Sequence, residues 1–268
     1  MVGQRPQPHV ALDQSLVSQA GYAYRCDWGQ QGLSDLAPHA QVVIIVDVLR
    51  FSTAVCAALE SGGTVLPYPS SQLGAQEYAS ANRATLAGSR RLGQLSISPT
   101  DLLCMQPGTR MVLPSANGSA LAYIGGNLGV PTVLAGCLRN ATATAEAARR
   151  LAGPHGVIAV IAAGEQTSDH LMRPAVEDLI GAGAILAALD PSAAASPPRC
   201  SPEAAAARAA FVAARPDLHA TIANSMTGRQ LAEQRWDDDL AVASALDVSV
   251  VVPILVGNEF VAETGQST

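Results

Sequence analysis

The chain contains no lysine; all sixteen of its basic residues are arginine. That absence removes a Walker A phosphate loop, a pyridoxal phosphate Schiff base and a lysine-dependent aldolase, each of which needs a lysine amine. Any anion must be held by arginine, backbone N–H groups, hydroxyls or a metal. Neither HxH nor HExxH occurs. Of the isolated histidines, His39 and His155 fall just before expected strands and His170 in a polar loop, which argues against a zinc hydrolase. There is no GxSxG nucleophile elbow. The Asp47-Val48-Leu49 stretch is not the DxD of haloacid dehalogenase-type phosphatases, and no GxGxxG follows the first buried strand to mark a dinucleotide site. The cysteines, Cys26, Cys56, Cys104, Cys137 and Cys200, are odd in number and far apart without a CxxC, and read as free thiols of a reducing compartment. Charged residues make up only 14%, no apolar run reaches the length of a membrane span, and the first twenty residues lack a signal-peptide core. The net charge of −6 argues against nucleic acid and anionic membranes as partners. A cytoplasmic protein is expected.

What is present centres on Val42–Ser61, VVIIVDVLRFSTAVCAALES. Its opening run of β-branched residues, Val42 to Val46, suits a strand buried on both faces of a parallel sheet. Asp47 ends that strand, Val48–Phe51 turn the corner, and Ser52-Thr53 open a short apolar helix that Gly62-Gly63 end. Ligands of open α/β sheets bind at such corners. Asp47, Arg50, Ser52 and Thr53 therefore read either as a capped strand–helix corner or as the mouth of a site for a metal-bound anion, most simply a phosphate ester.

The rest of the chain repeats the pattern of short apolar strand, polar turn and alanine-rich helix. Strands are expected at Gly21–Leu33 (an edge), Thr64–Pro67, Thr85–Ala87, Arg110–Leu113, Thr132–Ala135, Val157–Ala162 and Ser249–Val252. Helices are expected at Leu73–Ser80, from about Ala120, at Ala141–Leu151, from Pro174, from Ser201 to Ala214, within Ser225–Arg235 and after Trp236. The pattern predicts a three-layer α/β/α fold with a mostly parallel sheet whose polar turns gather on one edge. Residues 165–173 read as a polar loop, and Pro191–Pro198 as a flexible connection. Gly181 and Gly183, costly inside a helix, predict close packing against another backbone. One domain over 21–260 is expected, with flexible termini at 1–20 and 261–268. Apolar alanine-rich helix faces allow a homodimer.

The acids near expected strand or helix ends are Asp47, Glu165, Glu177, Asp178 and Asp237–Asp239. Asp47 with Glu177, Asp178 or both would make a half-open magnesium site, although acids in a first helical turn also compensate the dipole. The Asp237–Asp239 run reads as a solvated turn and N-cap. Ser115–Ser119, SANGS, is either an anion cradle or an ordinary turn. Arg50, Arg90, Arg139 and Arg229 follow or flank Gly/Ser turns, where arginine grips carboxylate, sulfonate or phosphate.

Eight stretches in order resemble the 2-phosphosulfolactate phosphatase family: VVIIVDVLRFSTAV at 42–55, LAGSRR at 86–91, LSISP at 95–99, LPSANGSAL at 113–121, GCLRNATA at 136–143, AAGE at 162–165, RPAVEDLIGAGAI at 173–185 and SMTGRQL at 225–231. The resemblance implies an α/β fold with a cleft between two lobes, about 21–130 and 131–260. It also implies a magnesium-dependent phosphatase acting on a small anionic 2-phospho carboxylic acid such as 2-phospho-3-sulfolactate. Asp47 and Arg50 match the family's DVLR, Asn117 and Gly118 its TNG, Asn140 and Ala141 its NA, and Glu177 and Asp178 its ED. On this reading Asp47, Arg50 and Glu177 are catalytic, and Asp47, Glu177 and Asp178 take Mg²⁺. Ser52, Thr53, Asn117, Gly118, Ser119 and Asn140 bind substrate, with Arg50, Arg90 or Arg229 on its carboxylate or sulfonate. The attacking group is a metal-activated water or Asp47. The family's Gly-Glu-Arg reads Gly88-Ser89-Arg90 here, a departure that leaves open an inactive or repurposed anion-binding homologue.

Overall fold

The computed structural model describes residues 13–167, 169, 171–192 and 199–265. The expectations for residues 1–12, His170, 193–198 and 266–268 lie outside the described residues. A short helix α1 (Gln14–Val17) leads into β1 (Tyr24–Trp28), α2 (Gly29–Leu36), β2 (Val42–Val46), α3 (Phe51–Glu60), β3 (Thr64–Pro69), α4 (Ala75–Ala81), β4 (Thr85–Leu86), α5 (Pro99–Leu103), β5 (Arg110–Ser115) and α6 (Gly118–Asn127). Next come β6 (Thr132–Gly136), α7 (Ala141–Ala152), β7 (Ile158–Ala162), β8 (Glu165–Gln166), β9 (Met172–Arg173) and α8 (Val176–Leu189). The chain closes with α9 (Pro202–Ala214), α10 (Leu218–Ala223), α11 (Met226–Glu233), α12 (Asp237–Ser244), β10 (Pro253–Val256) and β11 (Glu259–Ala262). Ser201 caps α9 as expected, its Oγ accepting the Ala204 N–H at 3.1 Å. No helix among the described residues is long and apolar enough to cross a membrane.

Among the described residues, nine strands form one sheet in the order β1-β7-β2-β6-β10-β11-β3-β5-β4. The first four run parallel to one another, as do the last three. β2 sits between β7 and β6 and has no exposed residue, as its β-branched run requires. Val42, Ile44 and Val46 pack into the core shared with α7, α8 and α9, while Val43 and Ile45 pack into the core shared with α2, α3 and α6. Helix α4 lies on the outer face of β3 and β5 through Ala79, Leu66, Tyr68 and Val112. The fold is the expected three-layer α/β/α with a mostly parallel sheet.

The expectation that the polar turns share one edge is corrected. The β10–β11 hairpin pairs antiparallel with β6 on one side and with β3 on the other. Crossing it reverses the chain direction three times, so β3, β5 and β4 run opposite to β1, β7, β2 and β6. Only the turns after the latter four share an edge. The expected strand at Ser249–Val252 is corrected as well. The Ser249 N–H donates to the Arg139 carbonyl, and the Val251 carbonyl accepts from Asn140 Nδ2, both at 2.9 Å, so this segment serves the 138–140 turn rather than a ladder. The strand begins instead at Pro253, a first position where the missing N–H is tolerated. It returns through Gly257-Asn258, with Gly257 at φ +62°. Residues 165–173 are not an open loop: β8 and β9 pair there as a small antiparallel hairpin.

The two helical glycines do mark close packing, Gly183 against backbone as expected and Gly181 against the side chains of Val46 and Val48 instead. A Cβ on Gly181 would lie 2.6 Å from Val48 Cγ2, and one on Gly183 would lie 2.1 Å from the Ala207 carbonyl oxygen of α9. Gly→Ala inside a helix ordinarily gains about 1 kcal/mol. At Gly183 the overlap is with backbone, and overpacking of about 1–3 kcal/mol outweighs that gain. Gly183→Ala is therefore expected to lower the denaturation midpoint; an unchanged or raised midpoint in chemical denaturation would refute the packing argument.

Candidate active site

The β2–α3 corner is held by bonds its own residues make. The Asp47 N–H donates to Ser52 Oγ at 3.0 Å, Ser52 Oγ donates to the Ile45 carbonyl at 2.9 Å, and Thr53 Oγ1 donates to the Val48 carbonyl at 2.7 Å. Both hydroxyls are fully buried and serve the corner's backbone. The Ser52 N–H is also taken, by the Asp47 carbonyl at 2.8 Å. The corner thus holds Asp47 in place while the hydroxyls of Ser52 and Thr53 stay turned to the backbone.

Asp47 is 3% exposed. Its Oδ1 accepts the Phe51 N–H at 3.1 Å, and its Oδ2 accepts the Gly118 N–H at 2.8 Å. Gly118 opens α6 after β5, so the turn following an oppositely directed strand reaches back to β2. Sheet twist of roughly 20–25° per strand, summed over the five steps from β2 to β5, turns that end out of the far edge. Only glycine fits there: a Cβ on Gly118 would lie 2.5 Å from Phe51 Cδ1 and 2.7 Å from Asp47 Oδ2.

Helix α8 brings the second and third acids. Asp178, also 3% exposed, accepts the Val48 N–H at 2.7 Å on Oδ1 and the Gly164 N–H at 3.0 Å on Oδ2. Glu177 is equally buried, and its carboxylate accepts no hydrogen bond among the described residues. Burial pushes Asp47 up from 3.8 to about 6; the N–H groups of Gly118 and Phe51 oppose the rise, Glu177 adds to it and Arg50 opposes it. Burial, then the charges of Asp47 and Glu177, push Asp178 well above the usual carboxylate range. The trio is therefore a pocket of mutually repelling acids with Arg50 close enough to be felt at Asp47. Asp47 and Asp178 turn both oxygens to N–H donors, and among the described residues no group of three His, Cys, Asp or Glu is arranged to hold a metal ion on its own.

The remaining expected residues divide. Asn117 adjoins the trio through Gly118 and accepts the Gln166 N–H on Oδ1 at 3.0 Å. Ser119 is buried and donates to the Leu113 carbonyl. Asn140 is buried with its amide on backbone: Oδ1 accepts the Cys137 N–H and Nδ2 donates to Val251, both at 2.9 Å. Arg139 pairs with Glu60 at 2.9 Å. Arg229 is exposed on α11 with no ion pair among the described residues, and no hydrogen bond joins its side chain to the trio.

Arg50 and Arg90 meet, and what gathers them overturns the reading of the Asp237–Asp239 run as a solvated turn at Asp239, while Asp237 and Asp238 are exposed as expected. Asp239 is fully buried. It accepts from Arg50 Nη1 at 2.9 Å and from Ser98 Oγ, and lies 3.6 Å from Arg90 Nη1. Asp238 takes Arg90 through both Nη1 and Nη2, which holds its carboxyl below its ordinary value, and Asp101 lies 3.3 Å from Arg90 Nε. The Trp236 ring carries Arg50 with its Cζ 4.8 Å from the centroid and Arg90 at 6.0 Å. Sequence reasoning misses Asp239 because acids opening a helix ordinarily face water; the one local sign is a tryptophan beside them.

A family model described as 2-phosphosulpholactate phosphatase matches residues 31–258, which include every residue of this site. The chain belongs to that family. The family is one of phosphatases, phosphoric monoester hydrolases, and the enzyme class of the chain follows.

Two measurements check the geometry of this phosphatase site. Gly118→Ala forces apart Phe51 and Asp47, and is expected to cost about 1–3 kcal/mol of stability together with most of the activity; an active, equally stable variant would show that the Gly118 contact is dispensable. The second follows from Asp47. Its folded pKa of about 6 lies above 3.8, so the folded state binds the extra proton between those values and stability falls as pH rises from about 4 to about 6. At about 1.4 kcal/mol per pKa unit the effect is about 3 kcal/mol. Denaturation in EDTA across that range should show the fall, and Asp47→Asn should lessen it, with Asp178, also raised, keeping the remainder.

Proposed function

We infer that this phosphatase hydrolyses a 2-phospho carboxylic acid, such as 2-phospho-3-sulfolactate, with Mg²⁺. The observation that carries the reading is the trio: three carboxylates, each 3% exposed, two of them raised in pKa, and one, Glu177, without a hydrogen-bond donor among the described residues. Buried acids in such number call for a cation. Magnesium keeps several waters and takes only one or two protein carboxylates beside substrate phosphate, so the donor set fits without a three-acid cage. Glu177, with Asp47 or Asp178 beside it, would hold the ion, which would neutralise charge on the phosphoryl oxygens and activate water.

The protein's own groups divide the remaining work. The N–H donors on both oxygens of Asp47 lower its nucleophilicity and orient it, which favours water as the attacking group. Arg50 gives only Nη1 to Asp239, so Nε and Nη2 can take the substrate carboxylate as a fork. Arg50 beside Asp47 also offsets charge that builds on the ester oxygens. Ser89, which stands where the family has Glu, is exposed, and its N–H bonds Gln94 at 3.0 Å rather than any acid of the trio. Its presence leaves the trio intact and so supports an active enzyme over an inactive homologue. Five free thiols fit a cytoplasmic setting. A homodimer through apolar helix faces belongs to this reading, and light scattering decides it.

The test is phosphate release from 2-phospho carboxylates with Mg²⁺ and with EDTA. Release is expected only with the metal, and Asp47→Asn is expected to lower kcat about 100-fold or more. Near-normal turnover of that variant, or release that ignores EDTA, overturns the reading.

A further inference from the structure

We propose that the protein carries a second anion site, for a phosphoryl group, at the sheet edge opposite the acid trio and built on Arg199 and Tyr24; this goes beyond the phosphatase reading and does not depend on it. A cleft of about 380 Å³ opens between the starts of β1 and β7 and the end of α7, and Tyr24, Ile158, Gly153 and the arginines Arg149, Arg150 and Arg199 line it. Among the described residues, none that lines it is acidic. Tyr24 and Ile158 pair at the first position of the β1–β7 ladder. Asp178 takes the Gly164 N–H beyond the other end of β7. The five residues of that strand, about 16 Å at roughly 3.3 Å each, therefore separate the cleft from the trio.

Two polar groups in the cleft are unsatisfied among the described residues. Tyr24 is 1% exposed, and its hydroxyl has no hydrogen-bond partner there. A buried hydroxyl is paired as a rule, and leaving one unpaired destabilises the fold. The Arg199 guanidinium stacks on the Tyr24 ring, its Cζ 4.6 Å from the centroid, and makes no ion pair or side-chain hydrogen bond among the described residues. Stacking occupies the face of a guanidinium and leaves its edge of N–H donors open to a ligand. The other two arginines are partly engaged. Both stand in the last turn of α7, where they compensate the helix dipole. Arg149 donates Nη1 to the Ala188 and Leu189 carbonyls at 3.3 and 3.4 Å, and Arg150 gives Nη2 to Glu263 at 2.6 Å. Arg199 is thus the cation that the described residues leave uncompensated. A phosphoryl group offers three oxygens, enough for the Arg199 fork, the Tyr24 hydroxyl and a further N–H of Arg149. A carboxylate offers two, which the fork alone takes up.

The test is calorimetric titration of the full chain in EDTA with inorganic phosphate, with 2-phospholactate and with lactate. Phosphate or its ester is expected to bind, and lactate about tenfold more weakly or less. The tighter of the first two tells whether free phosphate or an ester is the source of the group. Arg199→Ala is expected to weaken binding about tenfold or more, and Tyr24→Phe about threefold or more. Arg199 is exposed, and Tyr24→Phe removes only an unpaired hydroxyl, so both variants should fold. Without phosphate, Tyr24→Phe should melt no lower than the parent chain; with phosphate, the parent should gain more in Tm than the variant. Arg50→Ala tells the two sites apart: binding that it removes, and that Arg199→Ala leaves, belongs to the trio and overturns the inference. No binding of phosphate or ester, equal binding of lactate, or binding unmoved in both folded variants overturns it as well. Phosphate release with Mg²⁺ reads the phosphatase separately, since none of these variants except Arg50→Ala touches its site.

Discussion

Two buried carboxylates, Asp47 and Asp178, are surrounded by four backbone N–H groups, and these bonds tie together parts of the chain that are remote in sequence. Phe51 and Gly118 supply Asp47; Val48 and Gly164 supply Asp178. The donors come from the β2–α3 corner, the start of α6 and the end of β7, and the acceptor Asp178 comes from the first turn of α8. Removing charge from water is tolerated only where such donors exist. The close packing of Gly118 on Phe51, and of Gly181 on Val46 and Val48, follows from the need to bring those N–H groups within reach.

The same logic governs the arginine side of the site. Asp239 is buried because Arg50, Ser98 and the Thr100 N–H converge on it, and it fixes where Arg50 stands. Trp236 adds a flat face under both guanidinium groups, which limits how far they swing. A phosphatase needs acids and cations near one another yet unneutralised at the reacting atoms. Here the separation is spatial: Arg90 is satisfied by acids of α5 and α12, while Glu177 and part of Arg50 are left open.

The fold is legible where the chain's own periodicity carries it. Val42–Val46 can only be a doubly buried strand, and Ser201-Pro202 can hardly be anything but a helix start. Asp47, Glu177 and Asp178 are legible as candidates because each stands at a strand end or helix start. Arg90 and Arg229 look alike in sequence, each beside a Gly/Ser turn, yet one is tied by three acids and the other by none among the described residues. The β10–β11 hairpin hides behind Pro253, since a proline argues for a strand's end as readily as for its first residue.

By itself the sequence determined the layer architecture, the both-face burial of β2 and the exclusion of lysine chemistry, because these follow from residue type and spacing along the chain. Only the tertiary structure decided that the two parallel halves run opposite ways, that Ser52, Thr53 and Asn140 serve the backbone, and that Asp239 is a buried anchor. Ser52 and Thr53 turn to backbone groups only five to seven residues away, a choice the corner's geometry makes, whereas Asp239 and the Asp47–Gly118 contact depend on which distant segment satisfies a polar group, and a hydrogen-bond partner some 70 to 190 residues away leaves no mark on local pattern.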